Sequence, residues 1–83
     1  MKVIVKLYAS LSPFLPPGAV KNVAEIEAPE GATPNDIMER LNLPVKVCKL
    51  VLVNGIFVPP GERTTRALED GDALAVWPPV AGG

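Results

Sequence analysis

Histidine is absent from the 83-residue chain, and with it the usual general base at neutral pH and the commonest metal ligand. Cysteine occurs once, as Cys48, so no disulfide can form within the chain. One thiol without a histidine makes neither a zinc site nor a Cys–His nucleophile pair, and nothing in cysteine usage points to an oxidising compartment. Charge of one sign is also missing: eight basic residues meet nine acidic ones, for a net charge of −1. The basic residues are scattered, which removes the electrostatic footprint of a nucleic-acid binder. Long apolar runs are lacking too. Val3-Ile4-Val5 is bounded by Lys2 and Lys6, so it reads as neither a secretory leader nor a membrane span. These absences lead to the expectation of a soluble, cytoplasmic, single-domain protein without metal, bound cofactor or catalytic side chains of its own.

What is present is apolar. Hydrophobic residues make up 48% of the chain, enough for a core in a domain this small without staples. Val3, Val5 and Leu7 alternate with Lys2 and Lys6, a period-2 pattern that predicts a half-buried strand over 1–8. The stretch 10–18, with three prolines and a glycine, reads as a loop in which Leu11, Phe14 and Leu15 cover one end of the core. A second alternation over 20–28, Ala24 and Ile26 inward and Glu25 and Glu27 outward, predicts a strand antiparallel to the first. Thr33, Pro34 and Asp36 then stand at the N-cap, first and third positions of a short helix, with Ile37, Met38 and Leu41 on one face. Leu50–Val53 and Ile56–Val58 flank Asn54-Gly55, the strongest short-range hairpin signal. After an irregular excursion over 62–68, Asp70 and Asp72 shape a turn with Gly71. Ala73–Trp77 follows as a last strand, with Leu74 and Val76 inward. Strand, strand, helix and three more strands over one core predict an α+β fold, the β-grasp or ubiquitin-like arrangement. Its sheet is mixed, with four or five strands, and the helix crossover lets the first and last strands lie parallel.

The chemistry is expected at the end of the sequence. Residues 1–77 form the predicted domain, and Pro78-Pro79-Val80-Ala81-Gly82-Gly83 an extended flexible tail. Two prolines stop the strand and favour polyproline II, and six residues reach at most roughly 20 Å. A carboxylate is a poor electrophile and must be activated, as in an acyl-adenylate. Glycine at the last two positions lets the backbone pass a narrow channel and leaves the carbonyl carbon uncrowded.

Residues 67–83, Ala-Leu-Glu-Asp-Gly-Asp-Ala-Leu-Ala-Val-Trp-Pro-Pro-Val-Ala-Gly-Gly, closely resemble the C-terminal signature of MoaD, the small-subunit family of molybdopterin synthase. Val3–Leu11 and Val53-Asn54-Gly55 are similar to MoaD and to its relative ThiS, the thiamine sulfur carrier. The proline pair before Gly-Gly favours the MoaD side, while the proline-rich stretch 12–17 departs from it. The resemblance implies a sulfur carrier that acts as the non-catalytic donor subunit of a transferase. An ATP-using adenylyltransferase of the MoeB/ThiF type would activate the Gly83 carboxylate, which becomes a thiocarboxylate. The tail Pro78, Pro79, Val80, Ala81 and Gly82 would insert into partners, and a MoaE-like subunit would hold the sulfur acceptor. Three destinations stay open: molybdopterin, another sulfur pathway (thiamine, tRNA thiolation, amino-acid synthesis), or conjugation of Gly83 to protein lysines. The inert alternative is a binding domain with a frayed end.

Two other features weigh in. Trp77 should point away from Leu74 and Val76, and an exposed aromatic beside a functional tail suits partner docking, with Tyr8, Ile56 and Val58 as neighbours in an apolar patch. Cys48 reads as a small, half-buried residue rather than a sulfur-handling group.

Overall fold

The computed structural model describes residues 1–79, for Val45 the backbone only. Five strands form one sheet: β1 (Lys2–Leu7), β2 (Val23–Glu27), β3 (Leu50–Val53), β4 (Ile56–Phe57) and β5 (Ala73–Trp77), in the order β2-β1-β5-β3-β4. The first and last strands of the chain lie side by side at the centre and run parallel, Val5 opposite Leu74 and Leu7 opposite Val76. The other pairings are antiparallel. A parallel neighbour needs a long return path, and α1 (Pro34–Arg40), the one α-helix among the described residues, lies on it.

Alternation in sequence becomes two faces in space. Along β1, Val3, Val5 and Leu7 are fully buried while Lys2 is exposed and Ile4 and Lys6 half-buried. β5 repeats this with Leu74 and Val76 inward and Ala73, Ala75 and Trp77 on the other side. The core is completed by Val51 and Val53 of β3, Ile37 and Met38 of α1, and Leu11, Leu43, Val58 and Leu68 from the connections.

The helix starts as its sequence dictates. The Thr33 hydroxyl accepts from the Asp36 N–H at 3.2 Å, and the Asp36 carboxylate accepts from the Thr33 N–H at 3.0 Å. This reciprocal box satisfies two of the four orphan donors at the helix start, with Pro34 at a position that needs no N–H. At seven residues the helix is too short to persist alone; burial of Pro34, Ile37 and Met38 holds it on the sheet.

The stretch read as a loop after β1 is more ordered than its prolines suggest. Ala9–Phe14 forms a 3₁₀ helix that includes Pro13. The fixed φ of proline is compatible with 3₁₀ geometry, and Leu11 anchors the turn by complete burial. Phe14 and Leu15 pack partly against the core, as expected. β2 is shorter than its alternating stretch, because Val20–Val23 closes a small turn before it. A further 3₁₀ turn, Pro60–Glu62, opens the excursion before β5.

The two turns at one end of the sheet are welded together. Asn54 and Gly55 both have positive φ, 52° and 82°, the primed turn that suits the twist of a two-residue hairpin. The Asn54 side chain then reaches across the sheet: its Nδ2 donates to Asp72 Oδ1 at 2.9 Å, and its Oδ1 accepts from the Ala73 N–H at 2.9 Å. Asp72 Oδ2 accepts from the Glu69 N–H, and Asp70 Oδ1 from the Lys2 N–H at 2.7 Å. One asparagine therefore fixes both the hairpin and the start of β5. Asn54→Gly keeps the backbone conformation and loses the two side-chain bonds, so it should cost about 1 kcal/mol in this exposed setting. Asn54→Ala adds left-handed strain and should cost about 2 kcal/mol. Urea denaturation of the two variants orders them, and equal losses would show that the backbone conformation is immaterial.

Candidate functional site

The tail leaves the domain from its central strand. Trp77 is the last residue of β5, and its peptide group is held from one side, the Lys49 N–H donating to the Trp77 carbonyl at 3.1 Å. From the other side the Tyr8 N–H donates to the Val76 carbonyl at 3.2 Å. Beyond this clamp Pro78 is half-buried and Pro79 exposed. The positions assigned to the chemistry, Val80, Ala81, Gly82 and Gly83, lie outside the described residues.

Trp77 sits on the face of β5 opposite Leu74 and Val76, as alternation requires, and is half-buried. What covers it is Tyr8. The two rings stack with centroids 4.3 Å apart and planes only 7° from parallel, which brings together two of the residues named for docking. The parallel ladder explains the meeting: Leu7 pairs with Val76, so the next residue of each strand lands beside the other.

The other two docking expectations need correction. Val58 is fully buried and cannot line an exposed patch. β4 ends at Phe57, and the Val58 N–H donates to the Val51 carbonyl at 2.8 Å as its side chain turns into the core. Ile56 is 62% exposed, yet it pairs with Val53, whose side chain is in the core. Directly opposed residues share a face, so Ile56 belongs to the helix side of the sheet edge and not to the face of Trp77. The residues that do share the Trp77 face are Leu50, which pairs with Trp77, and Phe57, which pairs with Leu52 and through it with Ala75. Both are partly exposed, at 40% and 49%. Counting back from Asn54-Gly55 in a two-residue hairpin sets 52 opposite 57, a signal in the sequence that would have found Phe57.

Cys48 is fully buried and free. Burial raises its thiol above the ordinary value of 9.0, partly countered by the positive charge of Arg63. The thiol is thus protonated at neutral pH and a poor nucleophile, and its Sγ lies 3.6 Å from the Pro44 carbonyl oxygen. A residue overlooked in the sequence is Arg63, only 8% exposed. Its Nε donates to the Val58 carbonyl at 3.1 Å, Nη1 to Cys48 at 2.8 Å and Nη2 to Lys49 at 3.1 Å. An arginine inside an irregular, proline-flanked segment carries no periodic signal.

A mixed five-stranded sheet in this order, one helix across one face and a tail leaving the central strand define a β-grasp, ubiquitin-like domain. Residues 5–83 match the model of the ThiS family, and the chain belongs to that family, a ubiquitin-fold group of sulfur carriers and modifiers together with MoaD. Among curated proteins no match was found. Among solved structures, the putative molybdopterin converting factor subunit 1 of Pyrococcus furiosus is 30% identical, with a TM-score of 0.66 over 95% of this chain and 98% of that one. The small archaeal modifier protein 1 of Haloferax volcanii is 26% identical, with a TM-score of 0.68 over the same shares of the two chains. Subunit 1 of the molybdopterin-converting factor of Helicobacter pylori, solved in complex with subunit 2, has a TM-score of 0.63 over the whole of both chains; at 22% identity the likeness is one of fold. No helix among the described residues is long and apolar enough to cross a membrane.

The stacked pair is the testable part of this geometry. A double-mutant cycle of Tyr8→Ala and Trp77→Ala, read by urea denaturation, should give a coupling energy of about 1 kcal/mol, the usual worth of an aromatic pair beyond its buried area. Strictly additive losses would mean that the rings merely coexist at the sheet end.

Proposed function

We propose that this protein is a sulfur carrier that works through the Gly83 carboxylate, and that its pathway is molybdopterin (molybdenum or tungsten cofactor) biosynthesis. The observation that carries the reading is the tail itself: Pro-Pro-Val-Ala-Gly-Gly directly after a strand, in a chain of the ThiS family. The identity to a putative molybdopterin converting factor subunit supports the pathway. The similarity to an archaeal modifier protein supports a second reading, conjugation of Gly83 to lysines of other proteins.

In the first reading an ATP-dependent adenylyltransferase of the MoeB/ThiF type activates the carboxylate and sulfur replaces one oxygen. The thiocarboxylate then enters a MoaE-like acceptor subunit. The chain needs no acid–base group for this, which accords with a protonated, buried Cys48 and the absence of histidine. Its own contribution is placement. Six residues after Trp77 reach at most roughly 20 Å, against a radius of gyration of 11.7 Å, so the terminus can work at a depth in a partner that the domain cannot enter. Trp77, Tyr8, Leu50 and Phe57 form the face that seats the domain while the tail is inserted.

Two experiments follow. Purified adenylyltransferase and sulfur donor should convert the chain to a form about 16 Da heavier, the oxygen-to-sulfur difference, as read by intact mass. Deletion of Gly83 should abolish this with the fold unchanged, and Gly82→Val should nearly do so because a β-branched side chain stiffens and widens the tail. Cys48→Ser should remain a substrate. Sulfur carried by the Gly83 deletion would overturn the reading, and high-mass conjugates in place of the 16 Da shift would select the modifier. For the docking face, Trp77→Ala should weaken association with the adenylyltransferase by about 2 kcal/mol per folded molecule, as loss of an interface aromatic does. An unchanged affinity would remove Trp77 from the interface.

A further inference from the structure

Arg63 presents an electrostatic anomaly. The residue is only 8% exposed, and the partners of its guanidinium are three carbonyl oxygens, of Val58, Cys48 and Lys49. These satisfy hydrogen bonds but carry no net charge. A buried charge is normally matched by an opposite one. Among the described residues the ion pairs involve only the Met1 amine and Lys2, so no carboxylate of those residues stands within 4 Å of Arg63. The three bonds use the Nε–H and one N–H on each terminal nitrogen. A guanidinium has five donors in a rigid fork, so one N–H on each terminal nitrogen is left over within the described structure.

Arg63 also borders an open pocket. Arg63, Cys48, Lys46, Lys49, Asn35 and Thr64 line a pocket of about 390 Å³, inside the range of small-molecule sites (roughly 300–1,000 Å³). Its wall contains three cations and no acid, although the chain as a whole is slightly negative. Lys46 and Lys49 are exposed and, within the described structure, make no ion pair. The carbonyl bonds hold the guanidinium immobile, so little side-chain freedom is left to lose on binding. The Asn35 and Thr64 side chains add neutral polar groups of the kind that orient a ligand.

We propose that this pocket binds a phosphoryl group carried by a small molecule. A phosphoryl dianion matches the arrangement better than a single carboxylate. It offers three oxygens to one fixed fork and two flexible ammonium groups, and the excess of positive charge exceeds what one carboxylate neutralises. The proposal does not rest on the sulfur-carrier reading.

The test uses the full ¹⁵N-labelled chain, titrated with inorganic phosphate and, in a second arm, with pyrophosphate, with chloride holding the ionic strength constant. Amide shifts should saturate and cluster at Asn35, Lys46, Lys49, Arg63 and Thr64. Pyrophosphate should bind more tightly than phosphate, because it supplies more charge to the same cations. The double variant Lys46→Ser/Lys49→Ser should weaken both by about tenfold or more, as loss of two charge-assisted contacts predicts. Both lysines are exposed, so the spectrum elsewhere should stay native and keep the result interpretable. Shifts that rise linearly and scatter over the surface would overturn the proposal, as would unchanged affinity in the double variant. Acetate binding as tightly as phosphate would also overturn it, by assigning the pocket to carboxylates.

Discussion

The parallel pairing of β1 with β5 is the constraint on which this structure depends. It joins the first and last strands at the centre of the sheet, so the core is built on the two ends of the described chain. A parallel pair demands a crossover, and that demand brings α1 over one face of the sheet. Val3, Val5 and Leu7 of β1 and Leu74 and Val76 of β5 then form the floor of the core, and Ile37 and Met38 its roof. The same pairing places Tyr8 beside Trp77. The departure point of the tail is thereby part of the centre of the sheet.

Central placement of β5 separates two tasks along one strand. Its inward residues belong to stability, and its outward residues are spared for contact. Trp77 and Ala75 continue across β3 and β4 as Leu50, Leu52 and Phe57, an apolar stripe that the helix does not cover because the helix lies on the other face. Hydrogen bonds from Tyr8 and Lys49 grip the last peptides of β5 on both sides. Chemistry at the terminus would therefore act against a fixed base.

The irregular segments around β3, β4 and β5 are organised by side chains rather than by ladders. Asn54 and Asp72 link two turns at one end of the sheet. Arg63 gathers three carbonyls where the chain leaves β4 and where it approaches β3. Both devices answer the same need: backbone groups outside regular structure must find partners, and a side chain with several donors or acceptors supplies them at one point. Arg63 does so with a charge that no carboxylate among the described residues matches, which sets the character of the pocket beside it.

Where a residue's environment depends on near neighbours in the chain, the sequence alone determined it. The strand alternations, the Thr33-Pro34-Asp36 helix start and the Asn54-Gly55 hairpin are local effects of backbone geometry. The helix start and the hairpin turn stand where they were read, and the strands stand with shorter ends, β2 beginning at Val23 and β4 ending at Phe57. The Gly82-Gly83 terminus is likewise legible only as sequence, through what glycine permits. Tertiary structure decided what depends on distant partners. Val58 lies inside because its N–H is claimed by Val51, and Ile56 lies on the far face because the register of β4 is set against β3. Pro13 sits in a 3₁₀ turn because Leu11 finds the core. Arg63 is buried because three carbonyls, up to 15 residues away, converge on one point that no periodicity in the chain encodes.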